Sequence, residues 1–336
     1  MDKPIFLTLS GFTWCATSPL AYTLQRVLKY SHGGYDKSMV YLSCIESQQP
    51  DPQWEKYSLH LTDQYENYRY NQLHFMNHTI DYDPIRELPK SHLFSLLSPP
   101  FTIDKYITFY KQLYDQVSKK GYKAVADYHL QLTPIFKYSS ILKEHFDFKS
   151  LLIVRDPIRR AFSHAISKPK ELNLKILNNR VFGNLPVVDY IKKYKKLKSL
   201  IPDAQMIVME ELWEGDGSEK QKLSSYLNHP VDDLWTNLYS PDVGHHLTWD
   251  LDNIVCPNPC QVLCQSDAIL TPEYYNELRD KYSYIYDQWI DEFGSLPLHW
   301  GQPVDYDANA VSPQRHTQSM YPNLYPVTHL QDIYTH

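Results

Sequence analysis

The chain has 336 residues, 43% of them apolar and 21% charged, with a net charge of −6. That balance belongs to a soluble globular protein able to bury a core, and it excludes a nucleic-acid partner recruited by bulk charge. Five cysteines exclude a disulfide scaffold. No apolar run approaches the ~18 residues of a membrane span, so no membrane partner is expected and the cytoplasm is the expected compartment.

The first element is an apolar run at 4–10, "PIFLTLS". Lys3 and the residues after it have the outline of a secretion signal, but Thr8, Ser10, Gly11 and Thr13 interrupt it, and a strand is the better reading. A turn follows at 11–18. Ser18-Pro19 then supplies an N-cap and a first-turn proline for a helix ending near Gly33-Gly34. The run "KSMVYLSCI" (37–45) reads as a second strand. Residues 46–101 are polar and aromatic without a strong period and read as an insertion or lid. The segment 102–121 is an amphipathic helix with a glycine stop. Further strands are expected at 122–127, 149–155 and 204–210. Further helices are expected from Asp156-Pro157 onward, over 187–200 and over 271–294. Residues 295–336 are rich in Pro, His, Gln and Tyr and read as an irregular extension.

Near-continuous Val, Ile and Leu in the strands argues for burial on both faces, as in a parallel sheet. Strand and helix alternating along the chain predict an α/β domain over 1–294, with a central parallel sheet flanked by helices and a helical insertion at 46–121. Ligands in such sheets sit at the carboxyl ends of the strands, and two turns there carry chemistry. In "LLIVRDPIRRAFSHA" (151–165), a cation ends the strand, Asp156 caps the next helix, Pro157 takes its first position, and Arg159, Arg160 and Ser163 follow. Guanidinium, hydroxyl and free amide hydrogens together make an anion site. The alternative is a capped helix with solvated arginines.

The stretch "RDPIRRAFSHA" resembles the 3′-phosphate motif R-D-P-x-x-R-x-x-S of sulfotransferases, which use 3′-phosphoadenosine 5′-phosphosulfate (PAPS) as sulfuryl donor. The resemblance implies a P-loop-NTPase-like fold, with PAPS as co-substrate and no metal requirement. It assigns Arg155 and Ser163 to the 3′-phosphate, with Asp156, Pro157 and Arg159 shaping the turn. "FTIDKYITFYKQLYDQVSKKGYKAVADYHLQLTPIF", "MIVMEELWEGDGSEKQKLSSYLNHP" and "LTPEYYNELRDKYSYIYDQWIDEFG" are similar in order and spacing to later parts of the same family.

The family's 5′-phosphosulfate loop, G-x-x-K-(S/G)-G-T-(T/S), aligns with "GFTWCATS" without a gap. The resemblance therefore assigns Gly11, Thr13, Trp14, Cys15, Ala16, Thr17 and Ser18 to the phosphosulfate. Gly11, Thr17 and Ser18 match, but Trp14 stands where Lys or Arg is expected and Ala16 where Gly is. Loss of one such electrostatic contact typically costs about 3–4 kcal/mol of transition-state stabilisation. Either another cation fills in, with Arg26, Lys29 and Lys37 nearest in sequence, or catalysis is weak, or the chain binds without turnover. A P-loop phosphotransferase is a third reading, disfavoured because Gly-Lys-Ser/Thr is absent.

Sulfuryl transfer needs a base for the acceptor proton. By resemblance it is Asp127, at the strand end "AVADYHLQLTP", with His129 as the alternative. Tyr128 replaces an expected lysine. The resemblance implies a small-molecule, sugar or peptide acceptor bearing a hydroxyl or amine. Cys256, Cys260 and Cys264, with His245 and His246, have the residue types of a zinc site but not its spacing, and reduced thiols are the better reading. "KKYKKLK" (192–198) reads as a solvated lysine face whose apolar side is Tyr190, Ile191, Tyr194, Leu197 and Leu200.

Overall fold

The computed structural model describes residues 3–12, 15, 17, 20, 21, 24, 30–32, 41–49, 96, 98–128, 132–166, 183, 185, 189–229, 250–251, 254–255 and 272–303. Apolar runs become strands where they can be covered from both sides. β1 (Ile5–Gly11), β2 (Tyr30–His32), β3 (Ala124–Asp127), β4 (Asp147–Val154) and β5 (Gln205–Val208) form one sheet in the order β2-β3-β1-β4-β5. Every pairing is parallel. β1 lies at the centre, and Phe6, Leu7 and Leu9 on it are fully buried, as are Leu151, Leu152, Ile153 and Val154 of β4. The expected α/β class, a parallel sheet flanked by helices, is therefore the observed one.

The helices are α1 (Tyr41–Ser47), α2 (Ile103–Val117), α3 (Leu132–His145), α4 (Pro157–Ile166), α5 (Tyr190–Leu200), α6 (Met209–Glu214), α7 (Ser218–Leu227), α8 (Pro272–Lys281) and α9 (Ser283–Phe293). A short hairpin pairs β6 (Asp250–Leu251) with β7 (Ile254–Val255). Thr102 caps α2, its Oγ1 accepting from Lys105 N at 3.3 Å. Buried Tyr106, Phe109, Tyr110, Leu113 and Val117 recur on one helical face. That face meets the sheet where Phe6 lies 4.7 Å from Tyr110 and 6.0 Å from Tyr106, ring to ring. The helix gives way to a 3₁₀ turn and stops at Gly121, whose φ of 82° suits a residue without Cβ. α5 packs on α3 and α9, and α8 packs on α4. Among the described residues no helix is long and apolar enough to cross a membrane.

Four expectations need correction. The run at 37–45 is no strand where it is described: Tyr41–Ser47 is α1, and Tyr41, Leu42 and Cys44 are buried on one helical face. The helix expected to run to Gly33-Gly34 cannot do so, because Tyr30–His32 is β2 on the sheet's edge. The strand expected at 204–210 ends at Val208, and α6 begins at Met209. The single helix at 271–294 is two helices, broken at Tyr282, which leaves helical geometry at φ −116° and ψ 26°. Helix α3, which connects β3 to β4, was not anticipated from the sequence.

The chain leaves β1 towards β2 on one side of the sheet and leaves β4 towards β5 on the other. Such a reversal opens a crevice at the carboxyl ends of the two neighbouring strands. Gly11 there lies beside Ile153, so the turn after β1 and the turn after β4 are neighbours.

Candidate functional site

The turn after β4 is locked from several elements at once. Asp156 is the N-cap of α4: its Oδ1 accepts from Arg159 N at 2.9 Å. Its Oδ2 accepts from Tyr275 Oη at 2.9 Å, Tyr286 Oη at 3.0 Å and Gly301 N at 3.3 Å. The Asp156 amide donates to Glu210 Oε1 at 3.0 Å, and Trp300 Nε1 donates to Glu210 Oε2 at 2.9 Å. Tyr190 Oη donates to the Arg155 carbonyl at 2.7 Å. Residues from α5, α6, α8, α9 and the segment after α9 thus converge on two consecutive positions of the motif, Arg155 and Asp156. Trp300 packs against Trp289 and Tyr190 at 4.4 and 6.0 Å, which holds residues 295–303 against the body.

That frame fixes Arg155 at the carboxyl edge of β4 with only 1% of its surface exposed. Glu210 faces it. Burial pushes the Glu210 carboxyl up to about 7 in spite of the pull of Arg155. Arg159 turns towards α8, its Nη2 donating to the Gln302 carbonyl at 3.2 Å and its guanidinium lying 5.9 Å from the Tyr275 ring. Arg160 turns the other way, to the Phe12 ring at 5.1 Å. Ser163 lies on α4, and its side chain is outside the described residues.

In the turn after β1, Gly11, Phe12, Cys15 and Thr17 are described, whereas Thr13, Trp14, Ala16 and Ser18 lie outside the described residues. A Cβ on Gly11 would stand 2.8 Å from Ile153 Cγ2 and 2.9 Å from Ile153 O. The glycine is thus demanded by the close approach of β1 to β4. Burial pushes the Cys15 thiol up to about 11, against the opposing field of Arg160 and Arg155. It is a thiol at neutral pH, so a cysteine nucleophile is not the chemistry of this turn.

Asp127 ends β3 beside Thr8 of β1 and is 1% exposed. Tyr106 Oη donates to its Oδ2 at 2.6 Å, while Oδ1 has no hydrogen-bond partner among the described residues. Burial raises the Tyr106 and Tyr110 hydroxyls well above their ordinary range, so both stay neutral beside the carboxyl. Tyr128, at the position of the expected lysine, is fully buried, and its hydroxyl is likewise raised by burial. His129 lies outside the described residues.

The structure therefore brings Arg155 and the turn after β1 together at one edge of the sheet, with Asp127 one strand away on the other side of β1. The roles of four residues were not legible beforehand. Glu210 sat at a strand end whose resemblance to the family's Glu-x-Leu turn gave it no contact with the motif. Tyr275 and Tyr286 sat in a segment read only as a helix similar to a later part of the family. Lys193 was read as part of a solvated face, yet it is half-buried and its Nζ lies 4.3 Å from the Phe12 ring. The apolar side of α5 is as expected, with Tyr190 and Leu197 buried and Ile191, Tyr194 and Leu200 packed on the core. Arg26, Lys29 and Lys37, and Cys256, Cys260, Cys264, His245 and His246, lie outside the described residues. Among the described residues no group of three or more His, Cys, Asp or Glu has the arrangement of a metal site.

No family model matches the chain, and no curated protein matches it. Solved structures that align with it include a sulfotransferase from Alicyclobacillus acidocaldarius, at 14% identity and a TM-score of 0.45 over 88% of this chain and 98% of that one. The sulfotransferase domain of the curacin biosynthetic pathway aligns at 12% identity and a TM-score of 0.40, over 71% and 78% of the two chains. The sulfotransferase domain of a Synechococcus olefin synthase aligns at 14% and 0.42, over 88% and 98%. Likeness this distant assigns no activity.

Proposed function

We propose that the chain transfers a sulfuryl group from 3′-phosphoadenosine 5′-phosphosulfate to a hydroxyl or amine of a small-molecule, sugar or peptide acceptor. The observation that carries this reading is the Arg155-Asp156-Pro157 turn. It holds a buried guanidinium at the carboxyl edge of β4, directly beside the turn that follows the central strand. The residues present fit a doubly phosphorylated nucleotide. Arg155, with the Ser163 hydroxyl, meets the 3′-phosphate, and the backbone of 11–18 meets the 5′ end.

In the reaction the acceptor oxygen or nitrogen attacks sulfur in line. The bond from sulfur to the bridging phosphate oxygen breaks, and adenosine 3′,5′-bisphosphate leaves. Positioning and charge stabilisation do most of the catalysis, as in phosphoryl transfer. The acceptor proton passes to a base. Asp127 suits this role because Tyr106 occupies one carboxyl oxygen and leaves Oδ1 to accept; His129 is the alternative. A second reading, nucleotide binding with little or no turnover, is favoured by Trp14 in the loop and by the burial of Tyr128 where a lysine is expected.

Thermal shift with adenosine 3′,5′-bisphosphate, and with ADP with and without magnesium, tests the reading. A rise in melting temperature with the bisphosphate alone is expected; a magnesium-dependent response to ADP instead points to phosphoryl transfer. Turnover of labelled donor then divides transfer from mere binding. Arg155→Ala should abolish binding of the bisphosphate, and retained affinity in a folded variant would put the 3′-phosphate elsewhere.

A further inference from the structure

We infer that Arg160 of α4 and Lys193 of α5 supply, from outside the loop at 11–18, the positive charge that loop lacks at Trp14, and that together they grip the 5′-phosphosulfate end of the donor. The inference rests on the sulfotransferase reading and concerns only how this chain meets one end of that ligand.

Both cations converge on a single side chain of the loop. The Arg160 guanidinium lies 5.1 Å and the Lys193 ammonium 4.3 Å from the ring of Phe12, the residue directly after β1. Arg160 is 6% exposed, so its charge is held in place and not solvated. The neighbouring Arg159 diverges to Gln302 and Tyr275. The two consecutive arginines of the motif are therefore assigned to opposite sides, one to the frame of the turn and one to the loop. The field of Arg160 and Arg155 also reaches Cys15, the fifth residue of the aligned loop.

Among the described residues, the carboxyls that act on Arg155, Lys193 and the adjoining Tyr190 are Glu210, Asp156 and Asp189, and each is already engaged by other groups. Both Glu210 oxygens already accept, from Asp156 N and Trp300 Nε1, and burial pushes that carboxyl up to about 7. Asp156 is saturated by Arg159 N, Tyr275, Tyr286 and Gly301. Asp189 is committed in part to capping α5 through Lys192 N. Lys193 is lowered by burial and then by the charge of Arg160, with only Asp189 acting the other way. Two like charges held about one ring repel each other, and a multivalent anion bound by both converts that repulsion into two charge-assisted contacts. Arg155 is thereby kept for the 3′-phosphate, while Arg160 and Lys193 take the 5′ end one strand over.

The discriminating ligands are adenosine 3′,5′-bisphosphate and adenosine 3′-monophosphate, which differ only in the 5′-phosphate. Titration calorimetry on the full chain should show wild type preferring the bisphosphate. Lys193→Met should weaken the bisphosphate on the order of tenfold and leave the monophosphate unchanged. Arg160→Met should do the same or more, and the double variant should bind the two nucleotides alike. Arg160 is buried, so Lys193→Met, at a half-buried surface position, decides the matter if the arginine variant fails to fold. A wild type that prefers the bisphosphate, with that preference intact in Lys193→Met, overturns this inference and leaves the sulfotransferase reading standing. A wild type that binds neither nucleotide overturns that reading and this inference with it.

Discussion

Asp156 Oδ2 receives three donors, and two of them are hydroxyls that can be removed without disturbing the packed rings. Tyr286→Phe deletes one hydrogen bond to a charged acceptor, a contact worth about 1.5–3 kcal/mol. Tyr275 Oη stands 3.3 Å from Tyr286 Oη and keeps its own bond to the carboxylate, so the single change should fall near the lower end, about 1.5 kcal/mol. Tyr275→Phe should behave alike. In the double variant Oδ2 retains only the Gly301 amide, and an underpaired buried carboxylate is strongly destabilising, by about 4–5 kcal/mol in all. The two changes should therefore exceed additivity by roughly 1–2 kcal/mol, within the range for groups sharing one partner. Urea unfolding followed by tryptophan fluorescence reads this out, since Trp289 and Trp300 sit in the same cluster. With a slope of about 3 kcal/mol/M, each single variant shifts the midpoint by about 0.5 M and the double by about 1.5 M. Midpoints unmoved by the single changes, or a strictly additive double, would refute the claim that this oxygen ties the carboxy-terminal helices to the turn.

Three further outcomes are expected. Folding raises Glu210 from an ordinary 4.5 to about 7, so its contribution to stability is fully present below pH 4.5 and is lost as pH rises through 7. The rise corresponds to roughly 3 kcal/mol; urea midpoints of wild type should fall between pH 5 and 8 more steeply than those of Glu210→Gln, and equal slopes contradict the assignment. Gly11→Ala forces a Cβ to 2.9 Å from the Ile153 carbonyl oxygen, a backbone atom that cannot retreat. It should cost about 1–3 kcal/mol in an unfolding titration, and an unchanged midpoint would show that β1 and β4 have room to spare. Asp127→Asn keeps an acceptor for Tyr106 and so should keep the thermal midpoint, while sulfuryl transfer falls about 10²–10⁴-fold; unchanged turnover would transfer the base role to His129.

The parts of the fold that were legible were those fixed by local composition. β1, β4 and β5 are short runs rich in Ile, Leu, Val, Phe or Met, and β3 is a buried Ala-Val-Ala-Asp run, and such apolar runs announce themselves. The same signal misled at 37–45, because a short apolar run serves a buried helix as well as a strand. There Tyr41, Leu42 and Cys44 fall on one side of a helix. β2 is three residues long and depends on pairing with β3, 94 positions away, so nothing local specifies it. In the site, Arg155 and Asp156 were legible because a strand end, a cap and a first-turn proline occur in fixed spacing. Lys193 was not, since its neighbours Lys192, Lys195 and Lys196 are exposed and only the packing of α5 decides which lysines turn inward. Tyr275, Tyr286 and Trp300 were equally hidden: their roles come from hydroxyls and an indole N–H reaching carboxylates more than eighty residues back.

The dependence of Asp156 on Tyr275, Tyr286 and Gly301 imposes an order on biosynthesis. The turn at Asp156 is translated early, yet three of the four restraints on its carboxylate emerge from the ribosome more than a hundred codons later. A nascent or prematurely terminated product can hold its central strands while its Asp156 carboxylate lacks those partners. Only a chain extending through Gly301 completes the set of donors on Asp156, which limits how far this protein can be trimmed at its carboxy-terminal side.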